Sequence, residues 1–168
     1  MYALAFVAQL TSAQVVANVD AVYAHVTRFQ ASFTQTFVAR AYNTTKVERG
    51  TMSVVRPSQL SFAYQNGNTV SVNASTAMAC QSGSCTTQQI SQTTFPALTF
   101  LAGGASLASS FTFADPPTPF QGGYMLVGTP IQPMGAYTKV VFFVDGQTSH
   151  VRRITLLDAQ GNRNTFEF

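Results

Sequence analysis

Short segments of alternating apolar and polar side chains fill most of this 168-residue chain, and they constrain its fold more than any other feature. Side chains two apart share one face of a β-strand, so such segments predict half-buried strands. The first begins at Phe29, where Phe33, Gln35 and Phe37 alternate with threonines. Further strands are predicted at 47–55, 59–65, 69–73, 110–113, 124–128, 137–145, 150–158 and 164–168.

Turn-forming residues separate the predicted strands. Asn66-Gly67 predicts a type I′ hairpin turn, and Asp145-Gly146 and Gln160-Gly161-Asn162 mark further turns. The proline-rich stretch 115–119 is typical of a stiff surface loop. Consecutive strands joined by short turns form antiparallel meanders rather than βαβ units. We therefore expect a mainly β fold with an antiparallel sheet.

One amphipathic helix is predicted ahead of the strands. Thr11 or Ser12 can cap its first turn, and apolar side chains then recur at helical spacing up to about Thr27. These side chains are Val15, Val19, Val22, Tyr23 and Val26. The rhythm changes to period two immediately afterwards, so the helix leads directly into the sheet.

A second helix, short and almost wholly apolar, is predicted at 96–103. Pro96 suits a helix start, Gly103 suits its end, and hardly any polar face lies between them. Such a helix must be covered on most sides or must itself cover something. It is either a plug that closes the end of the sheet or a movable lid.

Arg56 stands where the strand alternation requires an apolar side chain, because it follows Met52 and Val54 on the same face of the segment. A charged group among apolar side chains must find hydrogen-bond acceptors, water or a partner segment. In one interpretation, Pro57 ends the strand and lets the guanidinium reach solvent. In the other, a downstream segment supplies the acceptors.

Composition limits the classes of function. A length of 168 residues fits one domain, 1–168, and only 9% of residues are charged while 14 are Phe, so the chain has ample material for a core or an apolar cavity. The nine basic residues are scattered, which argues against nucleic-acid binding. No segment is long enough to span a membrane. The apolar run 2–8 is either the tail of a trimmed signal peptide or an ordinary first element.

Cys80 and Cys85 enclose a polar, Gly-containing turn, Gln81-Ser82-Gly83-Ser84. If this segment is a β-hairpin, the two thiols face each other closely enough to form a disulfide. A disulfide would favour an exported protein, and two free thiols in a cytosolic protein are the alternative. A metal site is not expected, because no histidine lies nearby to complete the ligand set.

The sequence offers few groups for catalysis. His25 and His150 have no spaced partners, the six acidic residues form no close pair, and phosphate-loop and nucleophile-elbow motifs are missing. We expect no catalytic residues and no cofactor, which favours a binding role.

Several segments carry a family resemblance when taken together. They are Phe29-Gln30-Ala31-Ser32-Phe33-Thr34-Gln35 after the first helix, the stretch 50–64 with Arg56-Pro57, the apolar helix 96–103, Val151-Arg152-Arg153-Ile154, Asp158-Ala159-Gln160-Gly161-Asn162 and Phe166. Their order and spacing resemble the periplasmic outer-membrane lipoprotein carrier (LolA) family over nearly the whole chain.

The resemblance implies an unclosed, curved antiparallel β half-barrel, with an N-terminal helix and a short helical lid over an apolar cavity. Arg56 matches the arginine that latches the lid through hydrogen bonds to backbone carbonyls of the lid helix. We expect the cavity and lid to be formed by Met52, Val54, Leu60, Phe62, Tyr64, Leu98, Phe100 and Leu101.

The resemblance also implies a function and partners. The chain would be a monomeric periplasmic chaperone, not an enzyme, that holds the acyl chains of lipoproteins. It would receive them from an inner-membrane ABC transporter and pass them to an outer-membrane acceptor. Two other functions are open for the same fold: a sensor or adaptor that binds acyl chains without transporting them, and a small enzyme acting on an apolar substrate.

Overall fold

The structure, a computed structural model, describes residues 9–89 and 95–168, and of residues 95 and 96 it describes the backbone alone. The apolar run 2–8 lies outside these residues. The helices are α1 (Ser12–Ala24), a 3-10 helix (Phe95–Ala102) that we name the cover helix, and α2 (Leu107–Ser110). The strands are β1 (Arg28–Ala39), β2 (Thr44–Val55), β3 (Gln59–Tyr64), β4 (Thr69–Val72), β5 (Thr76–Gln81), β6 (Ser84–Gln89), β7 (Phe111–Phe113), β8 (Thr118–Phe120), β9 (Gly123–Pro130), β10 (Lys139–Asp145), β11 (Val151–Leu157) and β12 (Arg163–Glu167).

Helix α1 begins as the sequence predicts and ends three residues earlier than expected. The Thr11 side chain accepts from the Gln14 amide while the Gln14 side chain accepts from the Thr11 amide, which forms a capping box. At the other end, the amides of His25 and Val26 donate to carbonyls only three residues back, which tightens and ends the helix. The chain then enters β1 at Arg28.

All of the described strands belong to one antiparallel sheet. The strand order is β6-β5-β4-β3-β2-β1-β12-β11-β10-β9-β7, and β8 pairs with the same edge of β9 as β7 does. The last strand, β12, lies between β1 and β11, so it joins the two meanders into a continuous sheet. The sheet does not close, because β6 and β7 stand at opposite ends of the order. The predicted mainly β half-barrel is confirmed.

The core lies on the concave face of this sheet, under α1 and the cover helix. Strand alternation places one apolar set there, and Phe62, Phe142, Phe166 and Leu126 are all fully buried. Helix α1 packs its own apolar stripe onto the same core through Val15, Val16, Val19 and Tyr23. The Tyr23 hydroxyl accepts a hydrogen bond from the Val151 amide at 3.2 Å, which ties α1 to β11. No helix in the described residues is long and apolar enough to cross a membrane.

Three local predictions are corrected. The stretch 115–119 is not entirely loop, because Thr118–Phe120 pairs with β9. This short strand lies at an edge of the sheet, where Pro119 is tolerated. Ser110 ends the short helix α2 instead of starting a strand, because the side chain of Ser106 caps that helix and Asp20 accepts from two of its amides. The third is the predicted type I′ turn at Asn66-Gly67, between β3 and β4.

The turn at Asn66-Gly67 is not type I′. That turn type needs a positive φ at both central residues, and of the two only Gly67 has one, at 88°. The Gly67 amide instead donates to the Tyr64 carbonyl at 3.0 Å, which makes a four-residue turn one position earlier. The hairpin itself forms as predicted, with Ala63 opposite Thr69.

Candidate functional site

Two apolar surfaces meet at the centre of the molecule, and β2 and β3 provide the first. Met52, Val54, Leu60 and Phe62 are each 1% exposed. The register sets Met52 opposite Phe62 and Val54 opposite Leu60, so the four side chains form a continuous apolar patch. Tyr64 continues the same face and is half-buried at its margin. The five predicted strand residues therefore lie together.

The cover helix provides the second surface. Leu98, Phe100 and Leu101 are all buried, and the helix contacts β2, β3 and α1. The Phe100 ring meets Tyr23 of α1 edge to face, with centroids 5.2 Å apart, and meets Phe142 of β10 in the same way at 5.8 Å. One ring thus connects the cover helix to both α1 and the second meander of the sheet. The three predicted helix residues join the five strand residues in a single core.

The predicted cavity lining is occupied by the protein's own side chains in this structure. Small clefts flank the cover helix on the described surface. One, of about 140 Å³, is lined in part by Leu60 and Val72, and another, of about 220 Å³, in part by Phe111 and Tyr137. Thr99 of the cover helix borders both clefts. In this structure the cover helix packs over the apolar face of β2 and β3.

Arg56 lies just beyond the end of β2, between the ends of two helices. Its Nη1 donates to the carbonyl of Ala24, the last residue of α1, at 3.4 Å. Its guanidinium packs against Gly103, which directly follows the cover helix: a Cβ built on Gly103 would lie 2.7 Å from the Arg56 Cζ. The strand does end before Pro57, as one interpretation predicts, but the side chain is only half-exposed and turns toward the cover helix.

The electrostatics of this position favour a cation. Backbone carbonyls at a helix C-terminus carry partial negative charge, and α1 has no basic residue in its own last turn. Arg56 supplies that positive charge from another element. Its Nε is sealed from solvent and makes no hydrogen bond, the one such side-chain nitrogen or oxygen in the described residues. Leaving a donor unpaired costs free energy, so Arg56 is held by contacts that are not fully satisfied.

A chain of polar side chains borders the apolar patch. The Tyr64 hydroxyl donates to Gln35 Oε1 at 2.6 Å, and Gln35 Nε2 donates to Asn164 Oδ1 at 3.0 Å. Burial, and secondarily the negative charge of Glu48, raises the pKa of Tyr64 to about 12. Gln35 and Asn164 were not predicted as site residues. The sequence indication for this polar chain is Gln35, a polar residue between Phe33 and Phe37 on the same face of β1.

The titratable side chains that could serve catalysis are spread over the described part of the chain. His25 and His150 are exposed, and no group of three or more His, Cys, Asp or Glu side chains within 9–89 and 95–168 could hold a metal ion. Four aspartates instead accept hydrogen bonds from backbone amides at turns and helix ends: Asp20, Asp115, Asp145 and Asp158. These carboxylates have structural partners, and none points to an acid–base pair.

The predicted disulfide between Cys80 and Cys85 is present. The two residues are directly opposite in the β5–β6 hairpin, and its turn has a positive φ at both Ser82 and Gly83. Cys80 points to the face of β5 opposite that of the buried Ala77, because the two are an odd number of residues apart. The disulfide therefore stabilises the hairpin from the side of the sheet away from the apolar patch.

A curved, unclosed antiparallel sheet with a short helix over its apolar face defines the class of helix-covered β half-barrel proteins. The family model of the outer membrane lipoprotein carrier protein LolA matches residues 24–168. The chain belongs to the LolA family. No curated protein matches it.

Solved structures show the same fold at low sequence identity. A LolA superfamily protein from Nitrosomonas europaea is 11% identical, with a TM-score of 0.51 over 94% of this chain and 91% of its own. A DUF1329 family protein from Desulfovibrio piger is 9% identical, with a TM-score of 0.56 over 91% and 88%. A domain assigned to outer membrane lipoprotein sorting in Vibrio parahaemolyticus is 10% identical, with a TM-score of 0.52 over 90% and 88%. These likenesses concern the fold.

Proposed function

We propose that this protein is a periplasmic carrier that holds the acyl chains of lipoproteins between the cover helix and the concave face of the sheet. One observation carries the proposal: the described side chains of the cover helix are apolar and buried, apart from the half-buried Thr99. A helix with hardly any polar face gains its stability from the surface beneath it. Acyl chains offer the same kind of contact, at about 0.8 kcal/mol for each buried CH2.

Opening requires the cover helix to leave its place, and Arg56 is the latch that opposes this movement. Its guanidinium touches both the end of α1 and the residue after the cover helix, so it holds these two elements together. The latch is incomplete, because Arg56 Nε has no acceptor. A weakly held closed state lets acyl burial shift the population toward an open, loaded state, and release returns it.

Family membership supports a route and partners for this carrier. An inner-membrane ABC transporter loads the carrier, and an acceptor at the outer membrane receives the cargo. The Cys80–Cys85 disulfide supports this location, because the periplasm is an oxidising compartment in which disulfides persist.

The test is a transfer assay with the purified protein. Inner-membrane vesicles that contain the donor transporter and a labelled lipoprotein are incubated with the protein and ATP, and the labelled lipoprotein released from the membrane is counted. Outer membranes are then added and transfer is measured. We expect release that depends on the protein, followed by transfer. Labelled lipoprotein that stays in the vesicles would contradict the carrier role.

Arg56→Leu tests the latch in the same assay, with Arg163→Leu as the matched control. Arg163 is an exposed arginine on β12 at the opposite end of the strands, because it pairs with Val38 of β1 whereas Val55, next to Arg56, pairs with Arg28. We expect Arg56→Leu to load but to transfer poorly, because the unlatched cover helix no longer competes with the cargo. Arg163→Leu should behave as the wild type. Stable loading with no transfer by the wild type itself would favour the sensor or adaptor function.

A further inference from the structure

A predominantly apolar cleft of about 220 Å³ lies beside the cover helix. It is bounded by the cover helix, by the start of β7 and by the loop between β9 and β10. Phe111, Pro130, Ile131 and Met134 form its apolar wall. Ile131 is 47% exposed, so apolar surface remains open to solvent at this cleft. Such a wall suits a hydrocarbon chain.

Tyr137 is the buried polar residue beside this apolar wall. Its side chain is 1% exposed, and in the described part of the chain its hydroxyl has no hydrogen-bond partner. Tyr137 is one of the residues that line the cleft. Burial raises the pKa of Tyr137, so the group remains an O–H donor at neutral pH.

We propose that this cleft binds the carbonyl end of an acyl chain, with the Tyr137 hydroxyl donating a hydrogen bond to the acyl carbonyl oxygen. The inference rests on the proposed function and adds to it a site outside the core. Other polar side chains line the cleft as well, but the hydroxyls of Ser109 and Ser110 already donate to the Ser106 carbonyl and Gln132 is exposed. The Tyr137 hydroxyl is therefore the buried donor beside the apolar wall that can meet the one strong acceptor at the end of an acyl chain. The proximity of Thr99 places the site at the margin of the cover helix, where a chain held beneath that helix would emerge.

The experiment compares two probes that differ only in their two acyl carbonyl groups. One is a dipalmitoylglyceryl-cysteinyl peptide with ester links, and the other is its dialkyl analogue with ether links. Affinities of both probes are measured for the wild type, for Tyr137→Phe and for Tyr124→Phe, a matched loss of a hydroxyl outside the cleft. Loss of one neutral hydrogen bond weakens binding about fivefold. We expect Tyr137→Phe to bind the ester about fivefold more weakly and the ether unchanged, with Tyr124→Phe altering neither.

Infrared spectra of the bound ester provide a second measurement. The ester carbonyl band should shift to lower frequency in the wild type and return in Tyr137→Phe, because hydrogen bonding weakens the C=O bond. Equal affinity of wild type and Tyr137→Phe for the ester would overturn the carbonyl site and leave the carrier function standing. Failure of the wild type to bind either probe would overturn both proposals. Tyr137→Phe removes no hydrogen bond within the described residues, so an unchanged unfolding temperature is the control for folding.

Discussion

The guanidinium of Arg56 packs against the backbone of Gly103, so closely that a Cβ at position 103 would lie 2.7 Å from Cζ, 2.9 Å from Nη2 and 3.0 Å from Nε. Gly103 also has a φ of 79°, and its amide donates to the Phe100 carbonyl at 3.0 Å. Glycine therefore serves two purposes there: it ends the cover helix and it leaves room for the arginine. The latch and the end of the cover helix form one contact surface.

Gly103→Ala should destabilise the protein by more than backbone strain alone. A positive φ costs an alanine about 1 kcal/mol, and at Gly103 the methyl group would also displace the Arg56 side chain. Gly67→Ala is the control for strain, because Gly67 has a φ of 88° with open space around its Cβ position. Gly104→Ala controls for position, since its nearest neighbour would be an ordinary 3.5 Å away.

Urea unfolding of these variants measures the free energies. We expect the cost of Gly103→Ala to exceed that of Gly67→Ala by about 1 kcal/mol or more. In an Arg56→Leu background this excess should vanish, because the guanidinium that the methyl group at position 103 would displace is no longer there. An excess that persists in the double mutant would show that Gly103 acts independently of Arg56.

Phe100→Ala should loosen the cover helix. The ring is 4% exposed and touches both Tyr23 and Phe142, so its removal leaves a cavity that the surroundings fill only in part. Such losses cost roughly 3 kcal/mol or more in a core. Phe37→Ala is the matched control, because Phe37 is 39% exposed on β1 and should cost well under half as much. Amide hydrogen exchange at Gly103 and Gly104 tests whether the loosening is local. We expect exchange at these two amides to accelerate by more than the loss of global stability explains. Acceleration that matches the loss of global stability would argue against a local opening of the cover helix.

The Cys80–Cys85 disulfide should contribute to stability and not to ligand binding. It closes a short loop, so the chain-entropy model gives about 2 kcal/mol. We expect Cys80→Ser with Cys85→Ser to lower the free energy of unfolding by that amount. Acyl affinity should stay unchanged, because Cys80 faces away from the apolar patch. As a control, a reductant should destabilise the wild type and leave the stability of the double variant unchanged. A folded double variant that has lost acyl affinity would place the hairpin in the binding site.

Tyr64 should make stability fall at high pH. Its pKa is raised from 10.0 to about 12, so the folded state holds the proton more tightly than the unfolded state. The stabilisation is therefore complete below about pH 10 and is lost as the pH rises toward 12. Unfolding free energies across this range, together with tyrosinate absorbance, measure the effect. Tyr64→Phe should weaken the dependence relative to the wild type, and an identical slope in both would exclude Tyr64 as its source.

Local structure was largely predictable from the residue pattern. The Thr11 cap, the helical spacing from Val15 to Tyr23 and the alternation around Phe33 each depend on side chains a few positions apart. The Cys80–Cys85 hairpin belongs to the same group, because a two-residue turn alone sets its register. Two of the three errors arose where a distant group intervened: Asp20 accepts from amides of α2, and β9 pairs with Thr118–Phe120 as an edge strand. The third, at Asn66-Gly67, is local, because the Gly67 amide donates to the Tyr64 carbonyl three residues back.

The sequence by itself determined which side chains could form an apolar face, because period two and period 3.6 are properties of the chain's own geometry. The positions of Met52, Val54, Leu60 and Phe62 follow from it. Only the tertiary structure decided that β12 lies beside β1, which brings Gln35 to Asn164, and that the guanidinium of Arg56 lies between Ala24 and Gly103. Those contacts join residues 32 to 129 positions apart, and their distances depend on how the whole sheet curves under its cover helix.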